Sequence, residues 1–181
     1  VWAAGSPSIV NGGGVNLVFS DDSIIENVYS DGWSDQGIGT VDSQRGIISG
    51  CTVEQVAQGI QCFSKDADTL GNIIIGNTIK HTGLFDGIMV EGKTSGGIEE
   101  NFSNVVIGNT IYNTWERGIT VQKGQSATIT GNTVNLFNVS GSTTKHGGIF
   151  LHTMPNSTVT GNTCSNGTGY GIISSANTDE C

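Results

Sequence analysis

The sequence predicts an all-β solenoid in which short strands stack coil upon coil. Three observations carry this reading. A phrase made of an apolar pair, Gly-Asn-Thr, a loop and Gly-Ile returns along most of the 181 residues. Each copy holds short β-branched runs with alternating apolar positions and no amphipathic helical stretch. Spacing between copies is irregular, yet the residues around each Asn keep one length.

Taken in order, the copies are IIENVYSDGWSDQGIGTV at 24–41, IISGCTVEQVAQGIQCF at 47–63 and IIIGNTIKHTGLFDGIMVEG at 73–92. VVIGNTIYNTWERGITVQ follows at 105–122, then TITGNTVNLFNVSGSTTKHGGIFLH at 128–152 and TVTGNTCSNGTGYGIISS at 158–175. NGGGVNLVF at 11–19 is a degenerate seventh. One column holds Asn27, Cys51, Asn77, Asn109, Asn132 and Asn162, at separations of 24, 26, 32, 23 and 30 residues. All the variation falls before Gly-Ile and after the strand that follows it. Strands this short are unstable alone, and become stable when each backbone pairs above and below at about 4.8 Å.

On its G-N-T and G-I-x-V phrases the chain resembles the right-handed parallel β-helix superfamily, pectate-lyase-like, and within it the β-helix domains of phage tailspikes and polysaccharide depolymerases. The resemblance implies one domain over 1–181, six to seven coils with the regular ones at about 24–175, and an internal asparagine ladder. In that family the ladder occupies the tight turn between the second and third strands of a coil. The Gly-Ile segments are then first strands, and polysaccharide-active members place their groove on that face. Stacked amides would hydrogen-bond from coil to coil and support a left-handed backbone that Asn tolerates. No amphipathic helix caps the first coil, so the end coils are expected to be covered by further sequence, by subunits of a homotrimer or by a local cap.

Composition excludes several classes. Lys and Arg total 7 against 16 Asp and Glu, a net charge of −9, with no basic cluster to track a phosphate backbone. No apolar run reaches the roughly 20 residues of a bilayer span, and VWAAGSPS lacks the basic and apolar regions of a leader, so the chain as given is expected to be soluble. Cys51, Cys62, Cys164 and Cys181 show no metal-binding spacing and read first as buried free thiols, with a Cys51–Cys62 disulfide open in an exported protein. No cofactor is expected, and calcium is the one metal left open, at acid pairs that do not by themselves support it. The acid pairs Asp21–Asp22 and Asp66/Asp68 lack the pattern of a calcium loop and read as solvated acids.

The chemistry is expected on the Gly-Ile face, whose flanking loops alone vary in length. Alternation turns Ile88 and Val90, Ile119 and Val121, Ile149 and Leu151 inward. The outward columns read Met89, Thr120, Phe150 and then Glu91, Gln122, His152, with Gln61 and Phe63 one coil earlier. Loop ends before Gly-Ile add Asp35, Gln58, Asp86, Glu116, Arg117, His146 and Tyr170, and Asp86 stands one rung from Arg117 and can pair with it. The candidate catalytic residues are Asp86, Glu91, Glu116, Arg117, His146 and His152; the candidate substrate contacts are His81, Trp33, Trp115, Gln122, Phe150 and Tyr170. A glycosidase needs two carboxylates, and a lyase needs a base beside a cation that steadies enolate-like charge.

The resulting expectation is an extracellular or virion-surface β-helix that binds an extended polysaccharide and degrades it, as a tailspike-like depolymerase. A secreted lyase or epimerase is the second reading, and a non-catalytic adhesin the third.

Overall fold

The computed structural model describes residues 13–32, 35–64, 70–92, 103–141 and 147–175, and the strand backbone alone at 2–4, 69, 94–95, 98–99 and 101–102. The chain winds into a right-handed parallel β-helix of three parallel sheets with seven, seven and six strands, and no helix forms among the described residues. The first sheet stacks Val15–Val18, Gln36–Val41, Gln58–Phe63, Ile88–Glu91, Ile119–Gln122, Gly147–His152 and Tyr170–Ser175. The second stacks the apolar pairs that precede each tight turn, from Ile24–Glu26 to Thr158–Thr160. The third runs from Trp2–Ala4 through Thr78–Thr82 and Thr110–Thr114 to Thr163–Ser165. Six strands in the second sheet bound five complete turns, fewer than the six to seven coils expected, because the end coils are partial.

One or two residues of each strand enter the interior, so the core is a set of columns. Ile38, Ile60, Ile88, Ile119 and Ile149 form one and Val53, Ile79, Ile111 and Val134 another, all fully buried. The recurring Gly of Gly-Ile answers to this packing. A Cβ on Gly118 would lie 2.2 Å from Val134 Cγ1, and one on Gly87 2.5 Å from Ile111 Cγ2. The first strand thus starts where its backbone presses against the third sheet, and only glycine fits.

The asparagine ladder is present, with one change of role. Asn77 Nδ2 donates to Asn109 Oδ1 at 3.0 Å, Asn109 Nδ2 to Asn132 Oδ1 at 3.0 Å and Asn132 Nδ2 to Asn162 Oδ1 at 2.9 Å. Each amide oxygen also accepts the backbone N–H of the Asn before it, at 2.9 Å. The left-handed residue is not the Asn but the glycine before it, with φ of 64° at Gly76 and 63° at Gly108. Asn27 falls one place outside the ladder. Strand register aligns Glu26 with Ser49, which sets Asn27 opposite Gly50 and Val28 opposite Cys51. Asn27 accordingly takes the left-handed position at φ 55°, and Val28 and Cys51 fill the column above Asn77.

A second ladder, absent from the sequence reading, lies in the turn that enters the second sheet. Asn104 Oδ1 accepts the Asn72 N–H at 2.9 Å, and Asn72 Oδ1 accepts the Gly46 N–H at 2.8 Å. Left-handed residues precede these as well, Gly71 at 62° and Ser103 at 54°. Cys51, Cys62 and Cys164 are free thiols, the first two inside the core, so no Cys51–Cys62 bridge forms. Cys181 and the Asp66/Asp68 pair lie outside the described residues.

Candidate functional site

The residue before each bending glycine faces away from the core, and these residues stack into a column of Gln36, Gln58, Asp86 and Arg117. Loops of unequal length fold over it. The loop ahead of Asp86 is fixed by Phe85 N–H donating to Ala57 O at 3.0 Å and by the Thr82 hydroxyl donating to Phe85 O at 2.9 Å. Between these loops and the strand face opens a cleft of about 260 Å³ lined by Asp35, Gln58, Gln61, Phe85, Asp86, Met89, Glu116 and Arg117.

Asp86 forms the floor and is only 2% exposed. Its Oδ1 accepts the Arg117 N–H at 3.0 Å, and its Oδ2 stands 3.5 Å from Arg117 Nη1. Burial pushes its carboxyl up to about 6, even though the guanidinium and the backbone N–H of Arg117 pull it down. The Arg117 guanidinium lies 4.5 Å over the Phe150 ring and 3.9 Å from the Glu116 carboxylate. Arg117 is therefore held from three sides. Gln58 is 5% exposed and its Nε2 is buried without a hydrogen-bond partner among the described residues. A buried donor left unmade is costly, and marks a place where a ligand oxygen would be favourable.

The structure thus brings together Asp86, Glu116 and Arg117, and disperses the other candidates. Glu91 lies at the far end of its strand, paired with Lys123 Nζ at 2.5 Å, beside Gln122 in register. Next in that column, His152 shares its Nδ1 with Ser175 Oγ at 2.8 Å and stacks on Phe150, centroids 5.9 Å apart. Phe150 is 4% exposed, so it supports Arg117 from beneath and has no face left for a sugar. His81 stands on the third sheet, exposed, at the bend of its strand, bonded through Nδ1 to Asn113 Nδ2 at 2.8 Å. Trp115 and Tyr170 are exposed but do not line the cleft. Trp33 and His146 lie outside the described residues. Asp35, Gln58, Gln61, Phe85 and Met89 complete the lining without having been singled out as site residues. Their signal was positional, because each sits on or beside the Asp86 column.

A family model described as periplasmic copper-binding protein (NosD) matches residues 3–180. The chain belongs to the NosD family. None of the curated proteins compared with it matches. The NosD match accords with a β-helix module, and its description names neither a polysaccharide, a tailspike nor a trimer. Copper, which the family name carries, calls for a cluster of imidazole, thiolate or thioether ligands. Among the described residues no three His, Cys, Asp or Glu side chains stand together for a metal. His81 and His152 occupy different sheets, and Met154 is fully buried. Cys62 is sealed in the core, where burial pushes its thiol up to about 11 and opposes the thiolate a metal needs. These residues do not fit a copper ion.

Proposed function

We propose that this NosD-family domain binds a glycan across its first sheet and hydrolyses it in the Asp86 cleft, outside the cytoplasm as the family's description implies. A single observation carries the reading: a buried carboxyl raised to about 6 forms the floor of an open cleft, with a second carboxylate, Glu116, on its wall. Carboxyl pairs whose environments differ are what glycoside hydrolysis uses. Phe85 and Met89 offer apolar surface to a sugar ring, and Gln58 and Gln61 offer amides to its hydroxyls.

In the reaction, the protonated Asp86 gives its proton to the glycosidic oxygen as the bond from that oxygen to the anomeric carbon breaks. Glu116 takes a proton from the water that adds to the anomeric carbon. Arg117 keeps the Asp86 carboxyl in place through its backbone N–H and lowers its charge cost after the proton has left.

The lyase alternative needs a cation for a uronate carboxylate. Among the described residues all four cationic side chains, Arg45, Lys80, Arg117 and Lys123, already face carboxylates within 4 Å. Incubation with neutral, amino and acidic glycans separates the readings. New reducing ends without absorbance at about 230–235 nm support hydrolysis, whereas absorbance with reducing ends would establish a lyase. Binding without either product would leave an adhesive module.

A further inference from the structure

Resting on that glycan reading, we infer that the cleft is selective for glycans that carry free amines, so that its substrate class is a cationic amino-sugar chain. The first observation is charge. Two carboxylates, Asp35 and Glu116, line the cleft beside one cation, Arg117, which stands near both Glu116 and the Asp86 carboxyl that holds the proton in the proposed reaction. Asp35 faces no cation among the described residues; its carboxylate lies at 2.7 and 2.9 Å from the Gln36 side-chain amide, once that amide is turned to donate. A polyuronate entering here meets carboxylates with no spare counter-charge, and an ammonium meets them with favourable Coulomb energy.

The second observation is independent of the acids. Gln58, nine-tenths buried in the same lining, holds an N–H donor that no atom of the described residues satisfies. A bare cation offers this donor nothing, whereas a sugar hydroxyl or ring oxygen accepts from it. The site therefore requires a ligand that carries both positive charge and oxygen acceptors. Phe85, half exposed at the rim, adds a ring face suited to an ammonium group.

The test is calorimetric titration of the whole domain with a soluble glucosamine oligomer, with the same oligomer N-acetylated, and with an oligogalacturonate of equal length. The amine-bearing chain is expected to bind at least tenfold more tightly than its acetylated form at low salt, and the uronate most weakly. The advantage should shrink as salt rises, because exposed charge pairs are screened. Asp35→Asn should cut the advantage of the amine-bearing chain over the acetylated one about two- to fivefold. Equal affinity for the two glucosamine chains overturns the inference while the glycan reading stands. So does an equal loss in Glu26→Gln, an exposed acid on the second sheet, since net charge rather than the cleft would then be responsible. If none of the three chains binds, the glycan reading itself fails.

Discussion

Two buried polar columns run along this β-helix, and they are finished differently. On one side the amides of Asn77, Asn109 and Asn132 are 1% exposed, each donating to the next amide and to a backbone carbonyl. On the other, Gln58 and Asp86 are about as buried, yet Gln58 Nε2 has no partner among the described residues and Asp86 holds the Arg117 guanidinium at 3.5 Å. A satisfied buried network rigidifies and specifies; a partly satisfied one stores energy that a ligand can release. The repeating column is thus the structural one, and the column whose residues change from coil to coil is where chemistry belongs.

Breaking the ladder should have the largest effect. Asn109→Leu removes four hydrogen bonds, those from the Asn77 N–H and Asn77 Nδ2 to Asn109 Oδ1 and those from Asn109 Nδ2 to the Ile74 carbonyl and to Asn132 Oδ1, and should lower unfolding free energy by about 4 kcal/mol in chemical denaturation.

A titration separates the columns next. The Asp86 carboxyl lies at about 6 in the folded state against 3.8 for an ordinary aspartate, so between those values the folded chain binds more protons than the unfolded one. Its contribution is therefore best at low pH and is lost as pH rises from about 4 to 6, by about 3 kcal/mol in all. Asp86→Asn should remove that slope from a plot of stability against pH; the asparagine ladder carries no such term.

A smaller change sharpens the contrast by extending the ladder. Cys51 places its thiol 3.8 Å from the Ile25 carbonyl, the partner position of a ladder amide, and its N–H already donates to Asn77 Oδ1. Cys51→Asn should add about 1 kcal/mol, read as a higher denaturation midpoint.

Much of this was legible in the chain. Alternation of period two placed Glu91, Gln122 and His152 in one column and Ile88, Ile119 and Ile149 in another, and the register agrees. The Asp86–Arg117 rung followed from the same alignment. Asn27 was misplaced because its coil reads Glu-Asn-Val instead of Gly-Asn-Thr, and a one-residue shift looks the same in sequence. Asn72 and Asn104 went unnoticed because no Thr follows them to mark a repeat. Burial of Phe150 and of Thr120, both outward on their strands, depends on side chains and loops of neighbouring coils, which no local pattern encodes. The cleft is a product of loop lengths, and these are what the repeat leaves free.

The most direct test of this division is the rate of reducing-end release from the glycan panel by the wild-type domain and by Asp86→Asn, each normalised to folded protein. A loss of a hundredfold or more, with the denaturation midpoint of the variant at neutral pH no lower than wild type, is the predicted result. An unchanged rate per folded molecule, or a wild-type domain that releases no reducing ends from any glycan, would contradict the assignment of chemistry to the Asp86 column.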